Sequence, residues 1–190
     1  MSSKRAAIII ATGGLLWGLS EVFVGDVFYR FHVPFRGSSL TAIGLGILII
    51  ARLLCNRPGT SIAIALIAGG FRCLVPKLYV CHLLAIAIEG AAFDLTWSAL
   101  RAGRKSTMFR AWLSGAIAAY TGFLAFGLIS IHVFRFGKWV AAGVGGTLVW
   151  ALRSGSFTAV LLAGLAPLAV VAARRLAEAK VYNLKHEDSR

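Results

Sequence analysis

Residues 6–28 read AAIIIATGGLLWGLSEVFVGDVF, a nearly unbroken apolar run close to the start of the chain. A helix needs about 20 mostly apolar residues to cross the hydrocarbon core of a bilayer, and this run is long enough. A cleaved secretory signal would end in small residues, but Glu21 and Asp26 stand where that cleavage site belongs. The run therefore predicts a retained transmembrane helix.

The composition extends this prediction to the whole chain. Of its 190 residues, 58% are apolar and only 14% are charged, and the mean hydropathy is +0.80. A soluble domain usually carries about 25% charged residues, and disordered chains have low hydrophobicity. A soluble enzyme domain and a disordered chain are both excluded, and the apolar surface must be buried in a lipid bilayer. The three cysteines predict no disulfide framework, and a Cys73–Cys81 pair stays open.

Five more apolar segments follow the first. They are Ser38–Cys55 with Arg52 placed to snorkel at its end, a stretch from Thr60 interrupted at Gly69, Gly70 and Pro76, and then Val80–Leu100, Phe109–Phe134 and Phe157–Ala173. Trp139–Leu152 is shorter than a crossing and suits a re-entrant or interfacial segment better. The sequence thus predicts an all-α integral membrane protein with one six-helix transmembrane domain, residues 1–176, and a short polar cytoplasmic tail, residues 177–190.

Basic residues dominate the charge, since 20 Lys and Arg against 7 Asp and Glu give a net charge of +13. No basic stretch is interleaved with aromatic residues as in a single-strand groove, so nucleic acid is excluded as a partner. With the N-terminus inside, the cytoplasmic ends of six helices carry roughly twice as many Lys and Arg as the outer ends, as the positive-inside rule expects. This predicts a multi-pass protein of the cell (inner) membrane with both termini in the cytoplasm. Counting Trp139–Leu152 as a seventh span is weaker, because it places the basic C-terminal residues outside.

Four carboxyl groups fall within the predicted membrane helices, and two of them, Glu21 and Glu89, lie at similar depth. Glu21 lies roughly 10 Å from the outer end of its helix and Glu89 roughly 13 Å from the outer end of its own. A charged side chain within a membrane is costly and is a functional candidate by default. Trp17 shares a helix face with Glu21, and His82 shares one with Glu89. The predicted substrate-binding residues are Trp17, Glu21, Arg72, His82 and Glu89.

Other roles for these side chains stay open. The acids can form structural ion pairs with Arg72, Arg30 or Arg153, which bind nothing. Cys81, His82 and Glu89 are of metal-ligating types, but HExxH is absent and no metal site is predicted. The chain also lacks GxSxG and Walker A motifs, so it has no means of hydrolysing ATP alone. We predict no catalytic residue and no cofactor.

The first segment carries a stripe of small residues. Alternating spacings of four and three residues place Ala7, Ala11, Gly14 and Gly18 on the same helix face as Glu21. Small residues let a second helix approach closely in lipid. The stripe is either packing inside this chain or a docking face for a separate membrane protein, and we predict Ala7, Ala11, Gly14 and Gly18 as docking residues.

The chain resembles the substrate-binding S component of an energy-coupling factor (ECF) transporter in its size, six spans, cytoplasmic termini and the Ala7-to-Ala11 AxxxA pattern. The resemblance covers the architecture of the whole chain but, in motif, only the first helix. It implies that the small-residue face docks a transmembrane T protein and that two cytosolic ATPases power uptake. It also implies a ligand pocket in the outer half of the membrane. Cobalt and nickel members begin Met-His, whereas this chain begins Met-Ser-Ser, which favours a small organic cofactor, vitamin or precursor.

The leading functional prediction is therefore a non-enzymatic, membrane-embedded subunit that binds a small molecule for uptake. Two alternatives stay open. One is a self-sufficient small transporter or channel that uses Glu21, Glu89 and Asp94 as a proton or cation relay. The other is a membrane enzyme that acts on a lipid-like substrate with Glu89 and His82 as an acid/base pair.

Overall fold

Six helices make up the part of the chain that the computed structural model describes, which is residues 2–71, 73, 80–101 and 106–187, with residues 179–187 as backbone only. They are α1 (Ser3–Arg30), α2 (Arg36–Leu54), α3 (Thr60–Phe71), α4 (Val80–Ala99), α5 (Thr107–His132) and α6 (Gly137–Glu187). All except the shorter α3 are long and apolar enough to cross a membrane. The prediction of an all-α membrane protein is confirmed.

The helices close into a ring in the order α1, α3, α4, α5, α6 and α2, and each packs against its two neighbours. The inside of the ring buries large apolar side chains such as Trp17, Leu45 and Phe93. The outside exposes many others, among them Leu95 and Val160. Apolar surface exposed on this scale suits contact with lipid and is rare on a soluble monomer.

α1 contains one turn of π-helix, Ser20–Val24, between two α-helical parts, Ser3–Leu19 and Gly25–Arg30. A π turn holds one residue more than an α turn and occurs frequently at functional sites. Trp17 in the turn before it and Glu21 within it are both buried. The wider turn thus changes which face of α1 points into the ring just where the acidic residue lies.

α6 differs from the sequence prediction. Trp139–Leu152 and Phe157–Ala173 are predicted as separate segments, with the first re-entrant or interfacial, whereas the structure joins them in one element. The helix is broken only at Gly143, whose φ of 65° and ψ of −177° are not helical. Glycine adopts this positive φ without a steric penalty. Residues 144–152 are therefore the beginning of the last helix, and the same helix continues through 177–187 of the predicted tail.

Polar residues at and just after the junction of those two segments find partners on neighbouring helices. The hydroxyl of Thr158 donates to the backbone oxygen of Ser38 in α2 at 3.2 Å. The hydroxyls of Tyr120 in α5 and Ser156 lie 2.8 Å apart. Because these partners are far away in sequence, hydropathy cannot reveal that the polar stretch is helical.

Two details of α2 and α3 also differ from the prediction. α3 continues through Gly69 and Gly70 to Phe71, so the interruption predicted at these glycines is wrong, while Pro76 lies outside the described residues. Arg52 does not snorkel, because it is 1% exposed and its Nη1 lies 3.4 Å from Asp94 Oδ1.

Asp94 joins three helices at the end of the ring that holds the last turn of α2. Its Oδ2 accepts hydrogen bonds from the backbone N–H groups of Ser61 and Ile62, at 3.0 and 3.1 Å. These groups lie in the first turn of α3, where N–H groups have no intrahelical partner and negative charge is favoured. Arg52 of α2 holds the other carboxylate oxygen. The three cysteines are free thiols.

Candidate functional site

A cavity of about 120 Å³ lies between α1, α2, α4, α5 and α6, towards the end of the ring where α2 and α4 begin. The titratable groups among its described lining residues are Glu21 of α1 and His82 and Glu89 of α4. The other described lining residues are Gly37, Leu40, Thr41, Ala85, Ile86, Gly122, Phe123, Phe126 and Trp150. The structure thus brings together three of the five predicted substrate-binding residues.

The other two predicted substrate-binding residues are Trp17 and Arg72. Trp17 is fully buried and does not line the cavity. It lies behind Glu21, and its Nε1 donates a hydrogen bond of 3.4 Å to Glu21 Oε1. We therefore reassign Trp17 from substrate contact to positioning of Glu21. Arg72 lies outside the described residues.

Trp17 is itself fixed by α2. A Cβ atom added at Gly44 would lie 2.3 Å from the indole ring, so only glycine leaves room for the ring there. The hydroxyl of Ser20 donates to the backbone oxygen of Trp17 at 2.8 Å. The π turn, Trp17 and Gly44 together set the position of the Glu21 carboxyl group.

Glu89 enters the cavity from α4. It is 5% exposed, and its Oε1 is buried without a hydrogen-bond partner among the described residues. A Cβ atom added at Gly122 of α5 would lie 3.2 Å from Glu89 Oε2, so this glycine provides the space that the carboxyl group occupies. A buried polar atom without a partner is costly, and it is a candidate contact for a ligand.

Aromatic rings form one wall of the cavity. Phe126 lies at its centre, with ring centroids 4.6 Å from His82 and 5.8 Å from Trp150. Trp150 also contacts Phe123 at 5.4 Å, and Trp139 supports it from outside the lining at 4.7 Å. Aromatic rings carry partial negative charge on their π faces.

The sequence prediction does not include these aromatic residues. Phe123 and Phe126 are three residues apart, which places them on the same face of a helix, and that spacing is the one signal present in the sequence. Trp150 gives no such signal, because its position depends on the break at Gly143 and on the contact of α6 with α5.

The described lining of the cavity is acidic. Two carboxyl groups share the cavity, and none of its described lining residues is Lys or Arg. Of the arginines predicted as structural partners, Arg30 pairs with Asp26 at 2.7 Å, and the Arg153 guanidinium lies 5.4 Å from the centre of the Phe35 ring. Two acids in one apolar cavity do not both ionise at low cost without a cation or a proton.

The small-residue stripe of α1 divides into two parts. Gly14 and Gly18 are buried by this chain, since added Cβ atoms would lie 2.6 Å from Ile67 and 2.5 Å from the Phe71 ring of α3. They are packing residues in place of the docking residues that the sequence predicts. Ala7 and Ala11 are exposed.

Among the described residues, no group of three His, Cys, Asp or Glu side chains is placed to hold a metal ion. Comparison of the chain with protein-family models, with curated proteins and with solved structures found no match. The resemblance to ECF S components therefore stays a prediction from sequence, and the functional proposal depends on the cavity.

Proposed function

We propose that this chain is a membrane-embedded substrate-binding subunit of the cell (inner) membrane, which takes up a small cofactor, vitamin or precursor with energy from separate ATPase partners. The observation that carries the proposal is the cavity, where Glu21, His82 and Glu89 meet an aromatic wall inside a ring of apolar helices. Ligand sites of this kind are concave, mostly apolar and fitted with a few polar groups.

The position of the cavity suits capture from outside. It lies towards the end of the ring that the distribution of Lys and Arg assigns to the outer face of the membrane. A solute taken up there needs a second step that exposes it to the cytoplasm. Since the sequence has no Walker A motif, the energy for that step is assigned to the cytosolic ATPases.

The exposed part of α1 is the proposed contact with the transmembrane T protein. Ala7 and Ala11 lie there beside exposed Ile8 and Leu15. The two alanines are small enough for close helix–helix approach, and the larger side chains flank them. The proposed contact is therefore shorter than the stripe predicted from the sequence.

The geometry weakens the relay alternative and leaves some support for the enzyme alternative. A three-acid relay requires Asp94, but this residue is held by Arg52 and by the first turn of α3, and it does not line the cavity. A membrane enzyme is the second candidate, because His82 and Glu89 both line the same cavity.

Co-purification followed by transport tests the proposal. The tagged full chain, extracted from its own membranes, should carry a membrane protein and two ATPases that mass spectrometry identifies. Untargeted mass spectrometry should find the bound solute, and the complex in proteoliposomes should accumulate that solute only with hydrolysable ATP.

Two variants make the test specific. Ala11→Leu should lose the partners, whereas Ala163→Leu, an exposed alanine on α6, should keep them. Partner recovery at the wild-type level with Ala11→Leu contradicts the docking surface. Transport or substrate turnover by the purified single chain contradicts the proposed function.

A further inference from the structure

We propose that the solute bound in the cavity is a small organic cation whose ammonium group lies between Glu89 and the aromatic rings of Phe126 and Trp150. This inference rests on the proposed function, because it names the class of molecule that the same cavity binds. Three independent properties carry it: charge, aromatic surface and size.

The charge of the cavity selects a cation. Oε1 of Glu89 is buried and has no hydrogen-bond partner among the described residues, so the site leaves an acceptor to be satisfied. No described lining residue beside Glu89 is Lys or Arg. An anionic solute would add a like charge beside the Glu89 carboxylate in a low-dielectric site, whereas a cation neutralises charge there.

The aromatic wall selects an organic cation over a metal ion. Phe126 and Trp150 lie 5.8 Å apart between centroids and both line the cavity. A cation within about 6 Å of a ring centroid is attracted by the π face, and quaternary ammonium groups are recognised in this way. A metal ion needs several oxygen, nitrogen or sulfur ligands, and the described residues offer no group of three His, Cys, Asp or Glu placed to supply them.

The volume limits the part of the solute that is enclosed. The cavity measures about 120 Å³, slightly less than a cavity of roughly 150 Å³ that holds benzene. A trimethylammonium or a single protonated heterocycle is of this size. Choline is therefore a suitable probe, and 3,3-dimethyl-1-butanol is its uncharged isostere.

The test measures probe binding to the full chain in nanodiscs of phosphatidylglycerol, which contains no ammonium group. Titration calorimetry should show choline binding at least about 10-fold more tightly than the isostere, the change expected when a charged contact is lost. Equal affinity for the two probes overturns the inference. Sodium chloride is the control for ionic strength. If it gives the same binding signal as choline chloride at the same concentration, the inference is also overturned.

Variants assign the binding to the proposed contacts. Glu89→Gln should weaken choline binding about 10- to 150-fold, and Phe126→Leu should weaken it about 2- to 30-fold. Asp26→Asn and Phe109→Leu, which alter an acid and an aromatic residue outside the cavity, should leave it unchanged. Unchanged affinity in both cavity variants overturns the inference. Phe126→Leu keeps the test decisive if Glu89→Gln does not fold.

The ammonium group has two sources in a membrane, a free solute or a lipid headgroup. Repeating the titration in phosphatidylcholine nanodiscs distinguishes them. Undiminished choline binding there supports a free solute, and strong competition by the bilayer supports cation recognition but assigns it to the headgroup, against the uptake function. If the complex accumulates a neutral or anionic solute while choline fails to bind, the cation inference is wrong and the proposed function stands.

Discussion

Glu21 and Glu89 reach the same cavity by different routes. Glu21 lies buried in a π turn, and its carboxyl group accepts a hydrogen bond from the indole of Trp17. Glu89 lies on a regular α-helix and occupies space that Gly122 leaves open. One carboxyl group therefore has a described donor on its own helix, while Oε1 of the other has no described hydrogen-bond partner.

Replacing Trp17 with Phe tests whether it positions Glu21. Trp17→Phe keeps an aromatic ring in the buried site but removes the Nε1 donor, so we expect the affinity for the solute to fall about 2- to 10-fold. Trp112→Phe is the matched control, because it also removes an indole donor, which bonds to the Ala159 oxygen away from the cavity. Titration calorimetry measures both, and equal effects of the two variants would contradict a positioning role.

The acids and His82 were predictable because their depth follows from their distance to helix ends. The different roles of Glu21 and Trp17 were not predictable from the sequence. A regular helix places both residues on one face, and only the π turn separates their roles. The aromatic wall depends on contacts among α4, α5 and α6, which sequence periodicity does not specify.

At the scale of helices, α1 packs closely against α3 through Gly14 and Gly18, whereas Ala7 and Ala11 of α1 are exposed. Added Cβ atoms at Gly14 and Gly18 would overlap Ile67 and Phe71, so the two helices lie in close contact there. Ala7 and Ala11 continue the same pattern beyond that contact. The small-residue stripe in the sequence identifies one face of α1, but the length of the neighbouring α3 decides how much of that face is buried.

Leucine substitutions separate the two parts of the stripe. Gly14→Leu should lower the free energy of unfolding by about 1–3 kcal/mol, because its Cβ would lie 2.6 Å from Ile67. Ala11→Leu should change it by less than about 0.5 kcal/mol, since Ala11 is exposed. Unfolding followed by near-ultraviolet circular dichroism in detergent measures both. Equal stability of the two variants would show that the helices are not in close contact at Gly14.

The helices themselves were largely predictable, with α6 as the exception. Long apolar runs fix most of the elements within a few residues of their observed ends. The polar stretch before Phe157 looks like a connection in sequence, but Ser156 within it and Thr158 just after it have partners on α5 and α2. The glycine at 143, and not that polar stretch, breaks the helix.

On the scale of the whole molecule, the structure bears on the number of crossings. Residues 144–152 belong to the same helix as the last apolar segment, so the seven-span alternative loses its additional crossing. We therefore predict that both termini lie in the cytoplasm. Green fluorescent protein, which is active there, should fluoresce when fused to either end, and alkaline phosphatase should be inactive at both. Activity of the phosphatase at one end would contradict six crossings.

In genetic terms, the π turn makes the cavity sensitive to the number of codons as well as to their identity. An α-helix rotates by about 100° per residue. Loss of one codon, such as that of Val22, would restore a regular helix and rotate everything after the deletion against everything before it. Hydropathy and net charge would hardly change, yet the end of α1 after Glu21 would turn away from α2, where Gly25 faces the cavity-lining Leu40. An in-frame deletion here is expected to abolish the site while the chain still inserts into the membrane.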